Sequence, residues 1–115
     1  MATNVETQTD IRFEGFTPGT DIWGTTQANF LIRIDGLHAR ETAVQLNDPA
    51  AKMIAEAAGG EDSPEFRERA AQVAGQAILE DLVSRGAPVA STIVASRGYF
   101  EENPGLLDRV KAALS

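Results

Sequence analysis

Three dipeptides of one design punctuate the chain: Asp48-Pro49, Ser63-Pro64 and Asn103-Pro104. Each joins a side chain that accepts hydrogen bonds from free helix N–H groups to a ring that already holds the helical φ and has no N–H to leave unpaired. Each is followed by an apolar pattern of helical period. They therefore set the starts of three helices and leave the chain before Asp48 as another kind of structure.

That earlier part alternates. Ile11-Arg12-Phe13-Glu14 reads as a short strand, and Phe16 to Thr26, rich in glycine and threonine, as a loop turning at Pro18-Gly19. Gln27 to Leu46 reads as a hairpin, with Phe30, Ile32 and Ile34 on one face and a turn at Asp35-Gly36, where a type I′ turn needs positive φ twice. A two-residue turn there sets Ile34 against Leu37 and Ile32 against Ala39. It also throws Val44 and Leu46 onto the opposite face, so the register calls for a bulge near Arg40-Glu41 or for a longer turn.

Asp48 is expected to cap a helix from Pro49 to Ala58, stopped at Gly59-Gly60. The longest helix is expected from Pro64 to about Arg85, with Phe66, Ala70, Val73, Ala74, Ala77, Ile78 and Leu82 facing inward. Gly75, beside Ala71 and Ala74, flattens this helix for close approach by another element. Val89 to Phe100 suits a helix opened by Pro88, although Thr92-Ile93-Val94 also suits a buried strand. A last helix runs from Pro104 to Leu114, with Leu106, Leu107, Val110 and Leu114 on one side. The predicted architecture is α+β: a three-stranded antiparallel sheet over residues 11–46, packed on one face by three or four C-terminal helices.

With 115 residues, 43% of them hydrophobic, the chain can bury one core. Residues 1–10 are expected to form a flexible N-terminal arm ahead of a single domain over 11–115. They carry neither a basic start nor an apolar run, so no targeting segment is expected and the chain is expected in the cytoplasm. The formal net charge of −7 argues against direct binding of nucleic acid or of anionic membranes. The absence of cysteine removes disulfides, thiolate nucleophiles and cysteine-ligated metals.

Few residues offer chemistry. His38 is the sole histidine. The two-residue turn puts it opposite Arg33 with no carboxylate to orient it, which suits an exposed strand residue better than a general base. Arg33, His38 and Arg40 would form a basic strip on the hairpin's outer face, able to receive an acidic partner. Trp23 stands in the loop either as an interface anchor or folded back over the sheet. Gly19 to Gly24 lacks the lysine and following helix of a phosphate loop. Glu61-Asp62 and Glu101-Glu102 sit beside helix starts, where the dipole accounts for them. No catalytic residue, cofactor or metal is expected.

These features favour a non-enzymatic protein-interaction or assembly module that binds a protein partner, itself included, as a homodimer. Trp23, Arg33, His38 and Arg40 are its candidate contacts. One alternative is an acidic inhibitor, for example a phage-encoded anti-defence protein, occupying a nucleic-acid-binding groove of its target. A second is a small-ligand binder using His38 and Trp23.

Overall fold

A computed structural model describes residues 9–18, 24–34 and 38–114. It is α+β, with a four-stranded mixed sheet of order β1-β2-β3-β4: β1 (Thr9–Thr17), β2 (Thr26–Ile34), β3 (Arg40–Leu46) and β4 (Thr92–Ala95). Between β3 and β4 lie α1 (Asp48–Ala58) and α2 (Pro64–Ser84). After β4 come α3 (Arg97–Glu102) and α4 (Pro104–Leu114). β1, β2 and β3 are antiparallel neighbours, whereas β4 runs parallel to β3. The class is the expected one, but the sheet has a fourth strand and is not purely antiparallel.

β1 starts at Thr9 and continues to Thr17, so Phe16 and Thr17 belong to a strand and not to the expected loop. A bulge makes this possible. The β1–β2 register shifts between Phe13 and Gly15, and Gly15 has φ +119°, a conformation that side chains with a Cβ resist. The extra residue returns Phe16 to the face already occupied by Ile11 and Phe13. Those rings lie edge-on to their neighbours, Phe13 with Phe16 at 4.9 Å and with Phe30 at 5.6 Å. The arm expected over residues 1–10 lies outside the described residues except for Thr9 and Asp10, which stand in β1.

The β2–β3 register pairs Phe30 with Thr42, Leu31 with Glu41 and Ile32 with Arg40. This is one residue off the two-residue-turn register, and it keeps Ala28, Phe30, Ile32, Val44 and Leu46 on one buried face without a bulge at Arg40-Glu41. The Asp35-Gly36 turn itself lies outside the described residues.

The helix starts follow local chemistry, with two corrections. Asn47, not Asp48, caps α1: its Oδ1 accepts from the Ala50 N–H at 3.2 Å, and Asp48 is already helical. Ser63 caps α2 as expected, its Oγ accepting from the Phe66 N–H at 3.1 Å. At the far end of α1, Gly59 has φ +69° and its N–H donates to the Glu56 carbonyl, while Gly60 N–H donates to the Ala55 carbonyl. The second correction is Asn103, expected to cap α4 through its side chain: that side chain serves the helix before it, donating from Nδ2 to the Tyr99 carbonyl at 2.9 Å, and the Leu106 N–H of α4 donates instead to the Asn103 backbone carbonyl at 2.9 Å.

The helix expected from Pro88 does not form. Instead the chain is drawn out along β3, where Arg40 Nη2 donates to the Val89 carbonyl at 2.9 Å, Thr42 Oγ1 to the Ala90 carbonyl at 2.6 Å, and Ala43 N–H to the Ser91 carbonyl at 2.9 Å. The β-branched run Thr92-Ile93-Val94 then continues as β4. A helix starts only at Arg97, capped by Ser96 Oγ on the Tyr99 N–H at 3.1 Å.

The core lies between the inner sheet face and the helices. Ala50, Ala51 and Ile54 of α1, Ala70 to Leu79 positions of α2, Phe100 of α3, and Leu106 and Val110 of α4 join the sheet residues in one cluster. α2 crosses the sheet at Gly75, where a Cβ would stand 2.5 Å from the Phe30 ring and 3.4 Å from Val44 Cβ. The flat Ala71/Ala74/Gly75 surface is thus filled by this chain's own sheet and is not left for a partner.

Candidate interaction surface

Alternation along each strand sends half the side chains away from the helices. On that outer face the described residues form rows across the strands. Thr17, Gln27, Gln45 and Val94 make one, and Gly15, Asn29, Ala43 and Thr92 the next. None of them is buried, and none is charged. Their polar groups are tied to one another. Gln45 Nε2 donates to Gln27 Oε1 at 2.9 Å, Gln27 Nε2 to Thr17 Oγ1 and to Asn29 Oδ1 at 3.0 Å each, and Asn29 Nδ2 to Thr17 Oγ1 at 2.8 Å. The result is a short-side-chain, hydrogen-bonded platform spanning β1 to β3. Side chains already held by mutual bonds lose little rotamer freedom when covered.

The sheet has two edges, and they differ. β1 presents the exposed charged side chains Asp10, Arg12 and Glu14, with Arg12 Nη2 3.7 Å from Asp10 Oδ2, and is kinked by its bulge. β4 carries no charge, and its Val94, 51% exposed, is the one large hydrophobic residue left exposed among the described residues.

The expected basic strip does not assemble. Arg40 pairs with Ile32 and so shares the helix-side face with it, its guanidinium reaching Val89, while Arg33 falls on the outer face. The one-residue change of register is the reason, since side chains alternate with a period of two. His38 is exposed, two residues ahead of β3, and Trp23 lies outside the described residues.

Arg67, which the sequence reading passed over, is the most engaged ionic group. It forks onto Asp62, with Nε–Oδ1 at 2.7 Å and Nη2–Oδ2 at 2.8 Å, and its Nη2 also lies 2.8 Å from Asp48 Oδ1. Lys52 Nζ approaches the other Asp48 oxygen at 3.1 Å. The guanidinium hydrogen bonds hold both Asp48 and Asp62 below the usual aspartate range, with Lys52 adding to the effect on Asp48, and Asp62 foremost keeps Arg67 firmly protonated. The trio ties the start of α1 and the α1–α2 connection to α2. Asp62 thus acts through a side chain as well as through the helix dipole. Sequence spacing hides this, because neither Asp48 nor Asp62 stands three or four residues from Arg67.

Beside this trio a cleft of about 750 Å³ is lined by Phe16, Thr17, Thr26, Asp62, Arg67 and Glu68. Its cation is bound to two carboxylates and Glu68 adds negative charge, so it does not favour an anion. A second cleft, about 570 Å³, lies between Thr9–Ile11 and the Gln76–Ser84 side of α2. Its Glu80 is engaged by Arg109 at 2.7 Å and Gln76 at 2.9 Å. Among the described residues no three histidine, aspartate or glutamate side chains are grouped to hold a metal ion, and no helix is long and apolar enough to cross a membrane.

Comparison with protein-family models, with curated proteins and with solved structures finds no match to this chain.

Proposed function

We propose that this chain is a non-enzymatic protein-interaction module that associates with copies of itself. The observation that carries the reading is an uncharged patch at one end of the outer sheet face, Thr17-Gln27-Gln45-Val94 with Asn29 and Ala43 beside it, set apart from the charged Arg12, Glu41, Asp10 and Arg33 farther along the same face, in a molecule of net charge −7. Pre-bonded and neutral, it is a patch on which two acidic molecules can meet without setting like charges directly against each other.

Mimicry of a nucleic acid draws less support. The acids alternate with cations in close pairs, Asp81 with Arg85 at 2.9 Å, Glu101 with Arg97 at 3.2 Å and Glu80 with Arg109 at 2.7 Å, besides the Arg67 trio. Such pairing breaks up the regular negative field that a phosphate mimic needs. For the small-ligand reading, His38 stands exposed and is not among the residues lining either cleft.

Light scattering coupled to size exclusion, over a range of protein and salt concentrations, tests the proposal. A self-associating chain gains mass with concentration, and salt strengthens the contact by screening repulsion between like-charged copies. A mass fixed at that of one chain up to about 1 mM would refute it.

A further inference from the structure

We propose that β4 is the edge through which two copies join, as antiparallel neighbours about a two-fold axis at Ile93. This deepens the self-association reading and rests on it.

The hydrogen-bond directions point to this edge. The Ser91 and Ala95 carbonyls accept from Ala43 and Asn47 N–H groups of the neighbouring strand region. Backbone groups alternate along a strand, so Ser91, Ile93 and Ala95 turn toward β3, while the N–H and C=O of Thr92 and Val94 turn toward the free edge. A two-fold axis at Ile93 sets Thr92 of each copy against Val94 of the other. Each such pair exchanges both of its backbone bonds, and every edge-facing group of the strand is used.

The occupant is chosen by charge. The eleven residues from Gly86 to Ser96 contain no charged side chain, in a chain where 23% of residues are charged. Exposed edges are normally blunted by charge, proline or a bulge, and β1 has charge and a bulge where β4 has neither within its span. A basic partner would be drawn to the acidic helices and gain nothing from this strip. A second copy brings an equally neutral strand and avoids contact between two surfaces of net −7. The strand is four residues long. Its pairing alone falls short of the ~1,200 Å² that a stable interface buries, so the dimer is weak and dissociates on dilution.

The absence of native cysteine gives a direct test. The doubly substituted chain Thr92→Cys/Val94→Cys should form covalent dimers under mild oxidation, since directly hydrogen-bonded cross-strand residues stand ~5.5 Å apart at Cα, within disulfide reach. Asp10→Cys/Arg12→Cys on the guarded edge should not exceed background. Val94→Lys, at an already half-exposed site, should keep the native circular dichroism and weaken dimerisation by roughly tenfold, because each dimer receives two lysines at its seam. If the unmodified chain dimerises but Val94→Lys dimerises equally and the β4 cysteines do not cross-link, the edge assignment is overturned while self-association stands. If the unmodified chain remains a monomer at about 1 mM, both are overturned, a strand from a different protein being then the only occupant left.

Discussion

Replacing Gly75 with alanine sets two opposed effects against each other, and the structure says which prevails. Within a helix, alanine is favoured over glycine by about 1 kcal/mol. Against this, a Cβ at position 75 would lie 2.5 and 2.6 Å from two atoms of the Phe30 ring, inside the 3.0 Å that real Cβ contacts respect. The ring cannot swing away cheaply, because Phe30 is fully buried and Phe13 meets it edge-on at 5.6 Å. Overpacking of this kind costs ~1–3 kcal/mol, so the expected net loss is about 1 kcal/mol. In a domain of this size that lowers Tm by roughly 4 °C. Urea unfolding followed by far-ultraviolet circular dichroism measures it, with an unchanged m-value expected. In a Phe30→Leu background the clash is relieved, and the same glycine-to-alanine change should become neutral or stabilising, giving a coupling of at least ~1 kcal/mol. If Gly75→Ala stabilises the unaltered chain by the full helical gain, the close approach of α2 to β2 is not what selects glycine here.

Two other perturbations follow from the contacts. The carboxyls of Asp48 and Asp62 have lowered pKa values in the folded chain, so the stability they provide is present above the ordinary aspartate pKa of ~3.9 and is lost as pH falls through the lowered values; Arg67→Met should return the Asp62 titration, read by carboxyl NMR, to the ordinary range, move Asp48 only part of the way because Lys52 still holds it, and flatten that part of the acid unfolding curve. Thr42→Val removes the bond to the Ala90 carbonyl and should cost about 1 kcal/mol while selectively speeding hydrogen exchange at the Ala43 and Asn47 amides, whose acceptors lie on and beside β4; uniform exchange across the sheet would contradict the clasp.

What could be read from the sequence was what is decided locally. Ser63-Pro64 starts α2 because its acceptor and its donors are three residues apart, and the Phe30/Ile32 row is inside because alternation requires no distant information. At Asn47-Asp48 two good capping residues stand side by side, and the Ala50 N–H takes the earlier one. The Gly15 bulge had a signal, an isolated glycine where the alternation Ile11-Phe13 resumes at Phe16. β4 was harder, since four residues are too few to display a period, and its extended form depends on Arg40 and Thr42, which reach carbonyls 49 and 48 residues away. The supposed strip of Arg33, His38 and Arg40 failed for a related reason. It assumed the parity of a turn, and one residue more or less exchanges the faces. The outer amide platform was invisible because Gln27, Asn29 and Gln45 become a unit only after three strands are in register.

The parallel seam between β3 and β4 also has a consequence in time. β1, β2 and β3 meet their partners over short stretches of chain, but β3 waits for a strand that lies beyond two whole helices, with Ala43 opposite Thr92. Closing the longer loop carries the greater entropic cost, so the meander is expected to assemble before the fourth strand joins it. Until Thr92–Ala95 takes its place, β3 is a bare rim, and that interval is when this molecule is most exposed to pairing with the wrong neighbour.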